Sequence, residues 1–233
     1  MSLSIGERIY RRILRVIPPR RDRNFLPLLR GVIHVGANVG QERRRYDAWR
    51  LPVLWVEPIP EVFATLLANI ADYPDQRAAR ALVADVAGNE VDFYVSNNRG
   101  ESSSMLDLAE HKDIWPTVGY ERTLRLTTTT LVDVVRDVGL DMDRYNGLVM
   151  DTQGSELLVL KGAVALLSRF DFVKVEVADF ESYKGCCQLP ELAAFMTAQG
   201  FTEFSRRLFA TRAQGGSYYD VIYRRDGAAS PRA

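Results

Sequence analysis

From residue 31 onward, the chain alternates between patterns typical of buried strands and patterns typical of amphipathic helices. Short apolar runs such as GVIHVG, PVLWVEP and GLVMDTQG are each followed by a segment with helical spacing. Strands joined by crossover helices pair in parallel, and those helices cover the faces of the sheet. The last two strands, near TEFSRRLF and YYDVIYRR, have no helix between them. The pattern therefore predicts an α/β fold with a mostly parallel sheet, helices on both faces and an antiparallel edge hairpin.

Two other regions complete this prediction. ARALVAD is interpreted as the third strand, ending at Asp85, and NEVDFYVSN as an additional extended segment. The stretch from Asn97 to Thr123, here called the lid segment, is polar and fits neither period. A long stretch without regular structure inside a domain is typical of a loop that covers a site. We expect the lid segment and the segment from Phe180 to Gln188 to shape a substrate pocket.

The composition is that of an ordinary globular chain. The 233 residues include 30 basic and 30 acidic side chains, and 47% of them are hydrophobic. This length can bury a single sizeable core, so one large domain is expected. No nucleic-acid partner is expected. Cys186 and Cys187 are adjacent and cannot form long cross-links, which fits a reducing compartment.

The N-terminal region differs from the rest of the chain in charge. Residues 1–30 contain eight arginines against Glu7 and Asp22. In IGERIYRRILRVIPP the apolar residues recur at helical spacing and arginines occupy the other face. This predicts a basic amphipathic helix that either packs on its own domain or contacts an anionic membrane surface through residues 1–23.

The apolar run in this helix is too short and interrupted for a signal peptide or a membrane span. We therefore expect a cytoplasmic protein, with peripheral membrane contact as the alternative role of the arm. The expected organisation is an arm at 1–30, an α/β domain at 31–225 and a disordered tail at 226–233.

Candidate binding residues follow the first three strands. In an open parallel sheet, ligands bind beyond the carboxyl ends of the strands, where the strand order reverses. The turn from Gly36 to Gly40 has G-x-x-x-G spacing, which is looser than the G-x-G-x-x-G turn of dinucleotide-binding folds. Glu57 can accept hydrogen bonds from both hydroxyls of a ribose, and Ile59 can cover an adenine face. Asp85 either accepts from the adenine amino group or forms a turn.

Acidic residues also mark the fourth and fifth strands. Asp151 ends the fourth strand in MDTQGSE, and Glu176 interrupts the apolar run of the fifth strand, so it needs a partner or a role. Glu156 opens the next helix, where the helix dipole favours an acid. Asp151 and Glu176 are also able to share a divalent ion, although their spacing does not demand one.

The order of these motifs resembles one enzyme family. VIHVGANVGQE, WVEPIP, ESSSML, LVMDTQGSELLVLKGA and VKVEV follow in the order and spacing of the FkbM-type methyltransferases, over residues 31–225. DTQGSELLVLKGA is the most specific of them, whereas the glycine turn is generic. The resemblance implies the Rossmann-like class I methyltransferase fold with seven strands and S-adenosyl-L-methionine as cofactor. It also implies methyl transfer to a hydroxyl, often on a sugar or a polyketide, and no metal ion is expected.

The resemblance also implies site residues. Gly36, Asn38 and Gly40 would surround the methionine end of the cofactor, and Glu57 would bind its ribose. Asp151, Gln153 and Glu156 would stand at the methyl-transfer end. The expected cofactor-binding residues are His34, Gly36, Asn38, Gly40, Glu57, Pro58, Ile59, Asp85, Asp151 and Gln153. The expected acceptor-binding residues are Ser103, Ser104 and Glu156. The family often has Asp at the position of His34, which we interpret as a neutral hydrogen-bonding group inside the strand end.

An aliphatic hydroxyl gains from a group that takes its proton during transfer. The candidates for this base are, in order, Asp151, Glu176 and His111, the last of which lies in the lid segment. Two other classes stay open at this point. An NAD-dependent oxidoreductase would share the fold and Glu57 but should have a third glycine, and a non-catalytic module would dock a partner through the basic arm. For an enzyme, we expect a small molecule or a glycan as acceptor.

Overall fold

The computed structural model describes residues 25–228, so the predicted basic helix and residues 229–233 of the tail lie outside the described residues. The strands are β1 (Val32–Val35), β2 (Val53–Val56), β3 (Gln76–Ala79), β4 (Leu82–Val83), β5 (Glu90–Ser96), β6 (Tyr120–Thr129), β7 (Gly147–Met150), β8 (Phe172–Ala178), β9 (Phe201–Thr211) and β10 (Ser217–Arg225). The helices are α1 (Arg43–Ala48), α2 (Pro60–Ile70), α3 (Leu131–Asp137), α4 (Glu156–Gly162), α5 (Val164–Leu167) and α6 (Leu189–Ala198).

The main sheet has seven strands in the order β3-β2-β1-β7-β8-β10-β9. Its first five strands are parallel, and β10 runs antiparallel to both β8 and β9. The predicted parallel sheet and edge hairpin are therefore confirmed. The strand order reverses at β1, which has β2 on one side and β7 on the other, so a ligand site is expected at the carboxyl end of β1.

Apolar side chains on both faces of the sheet explain why its central strands are fully buried. One face buries Ile33, Leu148 and Val173 against α3, α4 and α6, and the opposite face buries Val149 and Phe172 in the second cluster. Phe25, Leu26 and Leu29 also belong to the second cluster. The last residues of the expected arm are thus part of the core.

The interpretation of ARALVAD as the third strand is wrong. The third strand of the main sheet is β3, whereas β4 pairs with β6 in a separate three-stranded sheet of order β4-β6-β5. Edge strand β3 pairs with only one neighbour in the main sheet, and its sequence, QRAA, need not be apolar. Leu82 is apolar because it packs with Ile59 and Phe93 in another cluster. Asp85 therefore follows a strand of the small sheet.

The lid segment lies against the segment from Phe180 to Gln188. The N–H groups of Ala109 and His111 both donate to the Ser182 carbonyl at 3.1 Å, and Lys184 N–H donates to the Asp107 carbonyl at 2.9 Å. These main-chain bonds fix two segments that are distant in sequence as one wall beside the sheet. Within residues 25–228, no helix combines the length and apolar character needed to cross a membrane.

Candidate active site

The glycine turn lies where two strand ends approach closely. Gly36 has φ +79°, and a Cβ atom there would lie 1.9 Å from the carbonyl oxygen of Asp151. The N–H groups of Gly36 and Ala37 donate to the Val56 carbonyl at 3.0 and 3.1 Å. Only glycine fits this position, because it tolerates the positive φ and leaves room for the neighbouring strand end.

Glu57 is held at the end of β2 by backbone groups alone. Asn38 N–H donates to its Oε2 and Ile59 N–H donates to its Oε1, both at 2.9 Å. The side chain is only 4% exposed. Burial raises the pKa of Glu57 to about 7, although the two N–H groups act in the opposite direction. The carboxyl also lines a cleft, where its oxygens can accept hydrogen bonds from further donors such as the hydroxyls of a ribose.

An open cleft joins these strand ends, and it encloses about 840 Å³ of space that is continuous with the solvent. Ile59, Leu82 and Phe93 form an apolar end, whereas Asp151 and Gln153 lie at the other end. The cleft thus offers an apolar surface for a flat ring on one side of Glu57 and a polar region on the other.

The charges around the cleft have one sign. Glu42, Glu57, Glu101 and Asp151 line it, and the described lining residues include no lysine or arginine. A dinucleotide carries a pyrophosphate that such a lining would repel, whereas the sulfonium and amino groups of S-adenosylmethionine are cationic. The residues present therefore fit S-adenosylmethionine better than NAD.

Asp151 is the central acid at the polar end. Its side chain is exposed within the cleft, and its Oδ1 accepts a hydrogen bond from Nε2 of Gln153 at 2.5 Å. Oε1 of Gln153 in turn accepts from the hydroxyl of Tyr183 at 2.6 Å. Desolvation by the surrounding protein raises the pKa of Asp151, and the nearby charge of Glu156 adds to this effect.

Three carboxyls lie side by side across the sheet. The register pairs Met150 with Val175, so Asp151 follows beside Glu176, and Glu176 is itself paired with Asp220. Neighbouring strands are about 4.8 Å apart, which brings such side chains within reach of one another. Asp220 is neutralised by Lys174 at 3.1 Å and by Arg207. Burial and the charge of Asp151 raise the pKa of Glu176. Protons therefore bind to the two carboxyls as a pair, because ionisation of one disfavours ionisation of the other.

A second, smaller crevice adjoins the cleft at Gln153. It is lined by Glu176, Tyr183 and Tyr218, and by Cys187 from the segment that follows β8. The lid segment packs against Tyr183 and Tyr218, because the centre of the His111 ring lies 5.1 Å from the Tyr183 ring centre and 5.9 Å from that of Tyr218. In the sheet, β2 and β8 lie on opposite sides of β7, which Asp151 follows. The crevice, which Glu176 of β8 lines, therefore lies on the far side of Asp151 from Glu57.

The structure brings most of the expected cofactor-binding residues to the cleft. Its lining includes His34, Gly36, Asn38, Glu57, Pro58, Ile59, Asp151 and Gln153, and also the expected acceptor-binding residue Ser103. Gly40 lies outside the lining, and a Cβ atom there would lie 2.8 Å from Leu66. Asp85 is exposed and also outside the lining, which at that point is made by Ala81, Leu82 and Val83.

Two of the expected acceptor-binding residues are engaged within the protein. Glu156 accepts from the N–H groups of Thr152 and Gly154 at 2.9 and 3.1 Å, so its carboxylate closes the DTQGSE turn. Ser104 donates to the carbonyl of Gln153 at 2.7 Å and thereby ties the lid segment to that turn. Glu156 also lines the smaller crevice.

Both histidines are buried and neutral near pH 7. Burial lowers the pKa of His34 to about 4, and its ring stacks on Trp55 at 4.9 Å and contacts the Tyr46 hydroxyl at 3.2 Å through Nδ1. Burial likewise lowers the pKa of His111 to about 4, and its Nδ1 contacts the Tyr218 hydroxyl at 2.7 Å. His111 lines neither cavity.

Sequence reasoning missed several lining residues. Phe93 and Leu82 reach the cleft from the small sheet, and Tyr183 reaches Gln153 from the segment after β8. Their apolar or aromatic character was visible, but no local pattern links them to the strand ends. In the described part of the chain, no group of three or more His, Cys, Asp or Glu residues could hold a metal ion.

Comparison with known proteins identifies the family. Residues 34–203 match the Methyltransferase FkbM domain. The 2-O-methyltransferase NoeI of Sinorhizobium fredii (strain NBRC 101917 / NGR234) is 27% identical over 167 residues, which cover 68% of this chain and 67% of that protein. The structure of M. capricolum TrmK in complex with S-adenosyl-homocysteine has a TM-score of 0.51 at 5% identity, and the match covers 93% of this chain and 72% of that one.

The TrmK likeness shows the fold alone, and this fold is the expected class I methyltransferase fold. The family match supports the methyltransferase prediction over the oxidoreductase and the non-catalytic module. Because that match spans well over half of the sequence, the chain belongs to the FkbM methyltransferase domain family and is an S-adenosylmethionine-dependent methyltransferase.

Proposed function

We propose that this enzyme methylates a hydroxyl group of a sugar, a glycolipid or a polyketide-type acceptor, with Asp151 as the base. The observation that carries this proposal is the position of Asp151, which lies between the Glu57 end of the cleft and the smaller crevice. The similarity to NoeI, a 2-O-methyltransferase, supports a hydroxyl as the acceptor group.

In this proposal the residues around β1 hold the cofactor. Gly36 and Asn38 leave space beside its methionine end, Glu57 accepts from its ribose, and Ile59 contacts its adenine. S-adenosylmethionine, when bound, supplies an electrophilic methyl group. The acidic lining favours a cation in the cleft, so it also disfavours the neutral product relative to the charged cofactor.

Asp151 orients the acceptor hydroxyl and takes its proton as the new bond forms. One of its oxygens is already engaged by Gln153, which leaves the other for the acceptor. The raised pKa of Asp151 makes it a stronger base than an ordinary carboxylate. Because the base has to be ionised, we expect turnover to fall as the pH drops below this raised pKa.

The test is Asp151→Asn, which keeps the size of the side chain but removes the base. We expect turnover to fall on the order of a hundredfold or more, while the affinity for S-adenosylhomocysteine changes little. Production of S-adenosylhomocysteine from a panel of glycan, glycolipid and polyketide acceptors measures the first, and calorimetry measures the second. Loss of cofactor affinity with turnover retained at saturating cofactor would make Asp151 a binding residue and Glu176 the leading base.

We also propose that the enzyme works in the cytoplasm and reaches an anionic membrane surface through residues 1–23. The eight arginines of residues 1–30 and the amphipathic pattern within them support this placement. A lipid-linked acceptor would then be presented at the same surface.

A further inference from the structure

Gln153 has a backbone conformation that ordinary residues avoid. Its φ is +54°, in the left-handed region, and the following Gly154 has φ +98°. A non-glycine residue held in this region costs energy and persists only where its surroundings fix it. Such conformations cluster at active sites and at turns that bind ligands.

Two segments from outside the motif fix Gln153. The hydroxyl of Ser104 donates to its carbonyl oxygen at 2.7 Å, and the hydroxyl of Tyr183 donates to its Oε1 at 2.6 Å. Tyr183 is 1% exposed, and burial raises the pKa of its hydroxyl well above the ordinary value. The hydroxyl therefore stays protonated and acts as a donor.

The bond from Tyr183 decides which atom Gln153 presents to Asp151. With Oε1 occupied by a donor, Nε2 is the atom that faces Oδ1 of Asp151, at 2.5 Å. A donor at this position favours the ionised carboxylate and restricts the rotation of its second oxygen. The three side chains thus form a directed series from Tyr183 through Gln153 to Asp151.

We propose that Gln153 is a positioning residue through which Tyr183 sets the orientation and ionisation of Asp151, an inference that rests on the proposed function. Tyr183 lines the smaller crevice, and its backbone pairs with Leu108 of the lid segment. The packing of the lid segment and of the segment after β8 is therefore coupled to the orientation and ionisation of Asp151.

The surroundings of Asp151 explain why a donor is needed there. The acids that face it and oppose its ionisation are Glu42, which precedes α1, Glu156 in α4, Glu176 on β8 and Asp220 on β10. Lys174 on β8 and Arg207 on β9 pair with Asp220 and offset its charge. The side-chain hydrogen bond from Gln153 acts in the opposite direction, because it lowers the pKa of Asp151.

The first test is Tyr183→Phe, which removes only the hydroxyl. We expect kcat to fall roughly tenfold near neutral pH, with the affinity for S-adenosylhomocysteine within about twofold of wild type. The acid limb of the pH dependence of kcat should move upward by on the order of half a pH unit, because the carboxylate loses an oriented donor. Tyr219→Phe is the matched control, since its hydroxyl donates to Asp179 at 3.1 Å and neither residue lines the cleft or the smaller crevice.

The second test is a double-mutant cycle with Asp151→Asn. If Tyr183 acts through the base, Tyr183→Phe should lower kcat in the wild type but not in the Asp151→Asn background. An equal loss in both backgrounds, or no loss in either, would overturn the proposal. Gln153→Glu, which keeps the shape but replaces the donor by a carboxyl, should move the acid limb in the same direction as Tyr183→Phe, and an unmoved limb would also overturn it.

These outcomes separate the inference from the proposed function. If Asp151→Asn has normal turnover, the assigned base is wrong. If Asp151→Asn is impaired while Tyr183→Phe matches Tyr219→Phe in rate and pH profile, the base stands and only the role of Gln153 is lost.

Discussion

Glu57 combines complete burial with two backbone donors, so its removal should affect binding more than folding. For Glu57→Ala we expect weaker binding of S-adenosylhomocysteine by roughly 1.5–3 kcal/mol, because hydrogen bonds to a buried charged group are lost. Calorimetry on the variant checks this value. Asp85→Ala is the comparison, since that acid is exposed and outside the cleft. Unchanged affinity in Glu57→Ala, or an equal loss in both variants, would remove the assigned ribose contact.

The raised pKa of Glu57 also predicts how the unliganded protein responds to pH. Its carboxyl binds a proton more tightly in the folded state than in the unfolded state, where the pKa is 4.5. The free energy of unfolding should therefore decrease as the pH rises from 4.5 towards about 7. Glu57→Gln lacks this contribution, so the stability of wild type relative to the variant should fall over that range, by up to about 3 kcal/mol.

Urea denaturation of both proteins without ligand, at about pH 5 and about pH 8, measures this difference. A difference that does not change with pH would mean that Glu57 is ionised as easily in the fold as in the unfolded chain.

Among the elements, the end of β1 is closely restricted in sequence. Gly36→Ala would place a methyl group against the carbonyl of Asp151, so we expect a loss of about 3 kcal/mol or more in stability and a loss of cofactor binding. Gly88→Ala is the matched control, because Gly88 has φ +86° but no heavy atom within 4 Å of the added Cβ. Its cost should be the conformational strain alone, about 1–2 kcal/mol.

Thermal or urea denaturation of the two variants separates strain from close approach. Equal losses would show that the ends of β1 and β7 can move apart, and that the contact with Asp151 does not require glycine.

The main sheet could be predicted at the element scale because its signal is local. Parallel strands buried on both faces leave short apolar runs, as in β2 and β7, and β1 departs from this pattern only at His34. Strand β8 is apolar except at Lys174 and Glu176, which lie on one face. The third strand was misplaced because β3 is a polar edge strand and β4 is apolar for another reason, its packing in the small sheet. A local pattern shows that a segment is buried, but not which sheet buries it.

The cleft was predicted in part for a similar reason. Glu57 and Asp151 end strands with a clear pattern, so their meeting followed from the parallel topology. The Tyr183 contact with Gln153 joins residues 30 positions apart through the conformation of a loop, and no periodic pattern records such a contact. His111 illustrates the same difficulty, because only the tertiary structure shows its side chain held by Tyr218.

For the whole molecule, the arm gives a prediction that the fold helps to define. Phe25 and Leu26 are part of the core, so a truncation that removes residues 1–23 keeps all the packed side chains of the described part of the chain. We expect the shortened protein to fold and to bind S-adenosylhomocysteine. Only the full-length protein should sediment with anionic vesicles, and this binding should weaken with salt.

Circular dichroism and calorimetry check the first part, and co-sedimentation with anionic and neutral vesicles checks the second. Equal sedimentation of both proteins would refute membrane contact through the arm.

The main-chain bonds between the lid segment and the segment after β8 have a consequence for protein engineering. A chimera that imports one of these segments from a relative with another acceptor would leave the Ser182 carbonyl and the Lys184 amide facing a foreign backbone. It would also misplace Tyr183, and with it the partner of Gln153. Acceptor specificity in this enzyme should therefore transfer between relatives only when both segments are exchanged together, although residues 124–179 lie between them in the chain.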